Sequence, residues 1–319
     1  MNLLKRIFVK VGILPFLLII LFILFSIAES RFISISNILN VSRQATYLAI
    51  VTTAQMMTIL CAGFDLSVGS SVALTGIAAS MVMVSIQDPI LAITLGILTG
   101  IGVAAFIGLI NGITIALFGV SPFVVTLGMM SVAHGFALLI SGGAPIFNLP
   151  SQLNQTLGIG KIGGIPIPLL MACCIIAIIY IMLSKTRVGR YFYAIGGNKE
   201  AARLSGIPVK KYTCLAYVLC GILTGIAGIM LTARVASGEP NLGSAFPLES
   251  IAAAVIGGVS LRGGEGNLIG AIFGAVLIVL IRNGMDLINI SSYLQMVVMG
   301  ALLIFAVVMD RLRLSIKSV

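Results

Sequence analysis

Uncharged apolar windows of about 20 residues recur along almost the whole chain, each as long as a helix must be to cross the hydrocarbon core of a bilayer. No soluble core hides that much apolar surface: of 319 residues 59% are apolar and 9% charged, and the mean hydropathy is +1.19. Lipid is therefore the solvent for most of the chain. It tolerates only backbone whose polar groups are satisfied internally, so the spans are expected to be helices. The windows leave no stretch for a separate soluble domain, and residues 1–319 are read as one membrane domain.

Breaking the sequence at charges, prolines and glycine clusters gives ten spans, near residues 11–28, 45–62, 67–86, 90–117 and 122–140, then 166–184, 212–232, 248–261, 267–281 and 292–309. The eighth and ninth are short enough for a re-entrant pair, an alternative that leaves the parity of crossings unchanged. Lys5, Arg6 and Lys10 before the first apolar run resemble a signal peptide, and Ser26-Ile27-Ala28 resembles a weak cleavage site. The run is long enough to cross, and is read as an uncleaved first span.

The net charge of +10 could suggest nucleic acid, but the basic residues are confined to a few short loops. With the N-terminus inside, fourteen of the 19 lysines and arginines fall on the cytoplasmic side, and five (Arg31, Arg43, Lys161, Arg234 and Arg282) fall on the other. Both termini are thereby placed in the cytoplasm. The five cysteines, Cys61, Cys173, Cys174, Cys214 and Cys220, lie in or beside apolar runs and form neither a disulfide framework nor a metal-ligand spacing. The single His134 is read as a hydrogen-bonded membrane-helix histidine.

Residues 99–112 (TGIGVAAFIGLING) resemble 270–284 (GAIFGAVLIVLIRNG), aligning Asn111-Gly112 with Asn283-Gly284, and residues 63–80 faintly echo 245–260. These partners are five spans apart. An odd offset turns one half upside down relative to the other, so the expected fold is an all-α polytopic bundle of two inverted five-helix halves, about 11–140 and 166–309. Glycines four apart, Gly96 with Gly100, Gly108 with Gly112, Gly221 with Gly225, and Gly266, Gly270 and Gly274, predict close helix–helix packing.

The loop at 185–212 carries seven basic residues against one acid, Glu200, which marks it as cytoplasmic. Within it Asn198 is placed to cap a helix of about two turns, Lys199, Glu200, Ala201, Ala202, Arg203, Leu204 and Ser205, with Gly206 as its stop and Pro208 barring continuation. Too short to cross, this helix is expected to lie along the membrane surface. Glu200-Ala201-Ala202 with Gly206 resembles the EAA-type coupling helix of ABC importer permeases. Residues 189–207 (GRYFYAIGGNKEAARLSGI), 63–70 (GFDLSVGS), 121–128 (SPFVVTLG) and 251–258 (IAAAVIGG) together resemble the ribose-type monosaccharide permeases of the branched-chain amino acid and monosaccharide family, in register over about 36–310.

That resemblance implies a bacterial inner-membrane importer subunit that works as a pair, with a second copy or a homologue. It implies a cytoplasmic ABC ATPase docked on residues 198–206 and a periplasmic solute-binding protein received by the loops at 141–165 and 233–247. No Gly-x-x-x-x-Gly-Lys-Ser/Thr loop occurs, so ATP is expected to be used by the partner chain and no cofactor is expected in this one. The Gly158, Gly160, Gly163 spacing has no preceding strand and is not read as a dinucleotide site.

Acidic residues near lipid are costly. Asp65 is read either as a pathway residue that ties two broken helix ends or as a helix cap, and Glu249 has the same two readings. Arg282 and Asp286 are expected to pair along one helix face. A neutral hydroxylated solute calls for amides, hydroxyls and aromatic walls, which makes Asn111, Phe123, Thr126 and Asn283 further pathway candidates beside Asp65 and Glu249. The rival reading is an ion-coupled secondary transporter, which would need a titrating mid-membrane carboxylate such as Asp65.

Overall fold

The computed structural model describes residues 14–317. Its apolar windows form helices α1 (Leu14–Ala28), α2 (Ile35–Leu60), α3 (Val68–Ser85), α4 (Pro89–Phe118), α5 (Pro122–Ser141) and α6 (Ile167–Lys185). Two short helices follow, α7 (Arg187–Gly197) and α8 (Lys199–Leu204), then α9 (Val209–Val235), α10 (Phe246–Ile256), α11 (Leu268–Leu287) and α12 (Ser292–Lys317). Each of the ten expected spans overlaps one helix, the eighth only as far as Ile256, and Lys5, Arg6, Lys10 and the first three residues of the first span lie outside the described residues. Six of these helices, α3, α4, α5, α6, α9 and α11, are individually long and apolar enough to cross a membrane, so the chain is a multi-pass membrane protein.

The start and stop signals are local. Asp88 caps α4 by accepting from Leu91 N–H at 2.7 Å, Pro89 and Pro122 occupy first-turn positions, and Gly119 and Gly142 close α4 and α5 in left-handed conformation.

Helix α2 is long but is not among the six, because its polar content is high. Its position explains this: every residue from Ala45 to Leu60 is buried, including Thr46, Thr52, Thr53, Gln55 and Thr58. It packs against α9, α11, α10 and α6, so protein rather than lipid surrounds it, and hydroxyls can be satisfied by backbone, as Thr53 is by the Ala49 carbonyl at 2.8 Å.

The glycine spacings are used as close-packing surfaces. A Cβ on Gly108 or Gly112 of α4 would collide with the α9 backbone at Tyr217 or Cys214, and one on Gly221 of α9 would collide with the Ala104 carbonyl of α4. Gly270 and Gly274 of α11 lie in the same way on the Gly257 and Ala253 carbonyls at the end of α10. The packing also recurs at an interval of five spans: α4 lies on α3 and α9, and α11 on α10 and α2; α5 lies on α3, and α12 on α10.

Two helices begin inside the bundle. Residues 61–67 lead into α3 and residues 236–245 into α10, and the two starts meet, since a Cβ on Gly69 would strike the Gly243 carbonyl and the Pro247 ring. With 11 residues α10 is about 17 Å long, too short to cross without the residues 236–245 that lead into it, whereas its neighbour α11 has 20 and is full length. The first span is a packed member of the bundle, with Leu14 in one apolar cluster with Leu277, Ile281 and Met285 of α11 and Phe25 over Gly284.

Candidate functional site

Between α6 and α9 lies the pair α7–α8, in which α7 is largely packed and α8 is exposed at five of its six residues. Thr186 caps α7 by accepting from Val188 N–H, Phe192 and Ile195 bury one face, and the Tyr191 ring stands edge-on to Tyr212 with centroids 4.7 Å apart. Asn198 caps α8 by accepting from Ala201 N–H at 2.9 Å, and Gly206, at φ +79°, ends the turn while Ile207 N–H donates to the Ala202 carbonyl at 3.1 Å. The helix ends at Leu204 with Ser205 as its cap, one residue earlier than the spacing suggests.

On α8 only Ala202 faces the protein. Lys199, Glu200, Ala201, Arg203, Leu204 and Ser205 are exposed, Leu204 to 73%. Arg203 binds both Glu200 oxygens, and this hydrogen-bonded guanidinium holds the Glu200 carboxyl below the usual carboxylate range.

This surface is wired into the bundle. A Cβ on Gly196 would overlap the Leu60 carbonyl at the end of α2, Gly264 N–H donates to the same carbonyl at 3.1 Å, and Tyr193 Oη donates to the Gly266 carbonyl at 3.0 Å. Helix α7 thus touches the end of α2, which leads into the start of α3, and the segment between α10 and α11.

The six pathway candidates fall into separate groups. Asp65 and Asn111 are together: Ser67 N–H and Oγ donate to Asp65 Oδ1 at 2.8 and 2.5 Å, and Asn111 Nδ2 donates to Ser67 Oγ at 3.0 Å and to Asp65 Oδ2 at 3.3 Å. The Gln55 amide faces the Asp65 main chain, oriented to donate to its carbonyl at 3.1 Å and accept from its N–H at 3.0 Å. Asp65 thus accepts from Ser67, in the turn that leads into α3, and from Asn111 of α4. Phe123 is half-exposed, its ring edge-on to Phe64, and Thr126 is buried with its hydroxyl on the Pro122 carbonyl of its own helix. Asn283 exchanges two amide hydrogen bonds of 2.9 Å with Asn37 of α2.

Arg282 differs from expectation in its partner. Arg282 does not pair with Asp286: it donates to Glu249 Oε1 at 3.0 Å, while Asp286 accepts from Gln295 Nε2 of α12 at 2.7 Å. An arginine preceding an acid by four residues is the weaker helical arrangement, and acceptors and donors from neighbouring helices replace it. His134 is hydrogen-bonded, Nε2 to Asn241 Oδ1 at 3.1 Å. Among the described residues no cluster of metal-ligating side chains occurs. Residues 154–166 form a π-helical turn and a two-residue hairpin, β1 (Lys161–Ile162) with β2 (Ile165–Pro166), with no strand ahead of the glycines.

Sequence reasoning missed a cavity of about 430 Å³ between α2, α9, α10 and α11, whose wall includes Tyr47, Arg234, Phe246, Glu249, Arg282 and Asp286. The available signal was the polar content of α2 combined with two arginines, Arg234 and Arg282, within three residues of helix-forming apolar runs.

The family described as branched-chain amino acid transport system / permease component matches residues 37–307. The ribose import permease protein of Escherichia coli K12 is 37% identical over 297 residues, 92% of this chain and 91% of its own length. That of Bacillus subtilis 168 is 40% identical over 299 residues, 93% of this chain and 92% of its own. The D-allose transport system permease protein of E. coli K12 is 35% identical over 303 residues, 95% and 92% of the two chains. No solved structure matches. A multi-pass helical bundle with an exposed α7–α8 handle, matched to one family model from its second span to its last, belongs to the branched-chain amino acid transport system permease component family.

Proposed function

We propose that the chain is the membrane-spanning permease subunit of an ATP-driven importer for a monosaccharide such as ribose or allose, in a bacterial inner membrane. The observation that carries this reading is α8, a capped two-turn helix that displays Leu204 and the Glu200–Arg203 pair to solvent on a loop of net charge +6. Such a handle has no task in a self-contained carrier. The absent phosphate loop assigns hydrolysis to another chain, and the relatives' names supply the solute class.

In this reading the chain has ten spans in two inverted halves with both termini cytoplasmic, supported by the basic-residue count and by the packing that recurs at five-span intervals. It pairs with a second permease, receives solute from a periplasmic binding protein at 141–165 and 233–247, and docks an ABC ATPase on 198–206. Closure of the ATPases pushes α8. The push passes through α7 to the Leu60 and Gly264 contacts, and the bundle rocks between inward-open and outward-open states. Asn111, Asn283, Phe123 and Thr126 are then residues whose environment changes as the helices move.

Reconstitution with the co-purifying ATPase and binding protein tests the reading. Sugar accumulation should stop on ATP depletion, survive collapse of the ion gradient, and fall at least tenfold when residues 199–205 are scrambled. Accumulation at full strength after scrambling would sink the proposal, and dependence on the ion gradient would favour a secondary transporter.

A further inference from the structure

The cavity bounded by α2, α9, α10 and α11 reaches deep into the bundle. Tyr47, in its wall, lies 12 residues after the start of α2 at Ile35, or about 18 Å along a helix of 26 residues. At that depth the cavity also touches Gly243–Phe246, where α10 begins against the start of α3. Broken helix starts lining a cavity are the usual setting of a mid-membrane solute site.

The chemistry of the wall is selective. Its charged side chains are two of each sign, Arg234 and Arg282 against Glu249 and Asp286, so an ionic solute gains no net attraction. Donors and acceptors nonetheless remain. Arg282 uses Nη1 on one Glu249 oxygen, leaving its other nitrogens and the second Glu249 oxygen for a solute. Arg234 donates one hydrogen bond to Asn40 Oδ1 at 3.2 Å and lies over the Tyr47 ring, 5.6 Å from its centroid. The Tyr47 hydroxyl is buried with no hydrogen-bond partner, a cost that a wall built only for packing would avoid by carrying phenylalanine. Phe246 adds an aromatic face, and the volume falls within the range of small-molecule sites. A second cavity of about 560 Å³ shares Ser244, Glu249, Arg282 and Asp286 and continues along α12.

We infer that this cavity is a binding subsite for a neutral, polyhydroxylated solute within the single permease chain, held by Arg234, Glu249 and Arg282 and completed by the Tyr47 hydroxyl. The inference rests on the reading of the chain as a sugar permease and assigns that permease an internal site.

The test uses the full complex in proteoliposomes carrying Ser244→Cys, since Ser244 is exposed and lines both cavities. A membrane-impermeant maleimide reports its accessibility, and the unsubstituted chain controls for the five natural cysteines. Labelling during turnover should slow at least threefold in D-ribose or D-allose and be unchanged in gluconate, which is equally hydroxylated but anionic. Tyr47→Phe, which removes one oxygen, and Glu249→Gln should each reduce that protection and the uptake rate roughly three- to tenfold, with ATPase-subunit recovery unchanged. Sugar uptake by the complex without protection of Ser244→Cys overturns the subsite, as does protection by gluconate equal to that by sugar. A complex that transports no sugar overturns instead the functional reading on which the subsite rests.

Discussion

Inside the bundle the decisive residues are those whose polar atoms have one partner and no water to replace it. Asn111 is fully buried and its amide nitrogen serves Ser67 and Asp65. Asn111→Leu deletes both donors, leaves Asp65 Oδ2 without its Asn111 bond, and sets a branched apolar chain against Ser67 and Asp65. A loss of about 1–3 kcal/mol is expected, seen as a lowered unfolding midpoint in detergent, with uptake falling in proportion to folded protein. Uptake that falls while the midpoint holds would instead mark Asn111 as a residue of the solute path. Such partners were not legible in the sequence. The reading singles out Asn111 and Asn283 as amides in apolar helices, but their hydrogen-bond partners lie far off in sequence, 44 to 46 residues away for Asn111, whose Oδ1 has none, and 246 for Asn283. For the same reason Arg282 was assigned the acid nearest in sequence rather than Glu249, which tertiary packing supplies.

Among the elements, the helices themselves were legible because lipid enforces long apolar runs and because caps and breakers are local signals. Helix α8 is the sharpest case: Asn198, Gly206 and Pro208 specify it without tertiary help. Its stability must also come from those local terms, since only Ala202 is buried. Asn198→Ala should cost about 1 kcal/mol of local order, and in so short a helix that is enough to fray it. The expected result is weakened ATPase recovery and at least a threefold loss of uptake, with the folded permease yield unchanged. Gly196→Val acts on the next link, forcing a side chain into the Leu60 carbonyl and Gly264. It should retain ATPase binding but lose coupling, read as ATP hydrolysis that continues without sugar accumulation. Proton concentration has a predictable sign here. Glu200 has a depressed pKa, so its pairing with Arg203 is complete above the ordinary carboxylate value and is lost as pH falls through the lowered one. The pair's contribution to ATPase recovery should therefore be constant between pH 8 and 6. A Glu200→Gln variant whose deficit changes within that window would contradict the assignment.

For the whole molecule, orientation is the property that lipid and charge fix together, and it decides which end meets ATP. Residues 185–212 carry seven of the chain's 19 basic residues, whereas the segments at 141–165 and 233–247 carry only Lys161 and Arg234. In short loops each lysine or arginine resists translocation, so this imbalance predicts that α7–α8 faces the cell interior. The end walls of the bundle are distinct enough to test. Ser205 lies exposed at the cap of α8, and Ser151 lies exposed in the loop that Asn154 anchors to the end of α9 through the Ala233 carbonyl at 2.8 Å. In a chain whose cysteines are replaced, Ser151→Cys should react with an impermeant maleimide in intact spheroplasts. Ser205→Cys should react only after lysis or in inverted vesicles, with about a tenfold contrast in each direction. Both positions labelling from the same side would break the odd number of crossings between them, and with it the inverted halves. Both reacting from the unexpected side would keep the topology, and it would place the coupling surface where no ATPase can reach it.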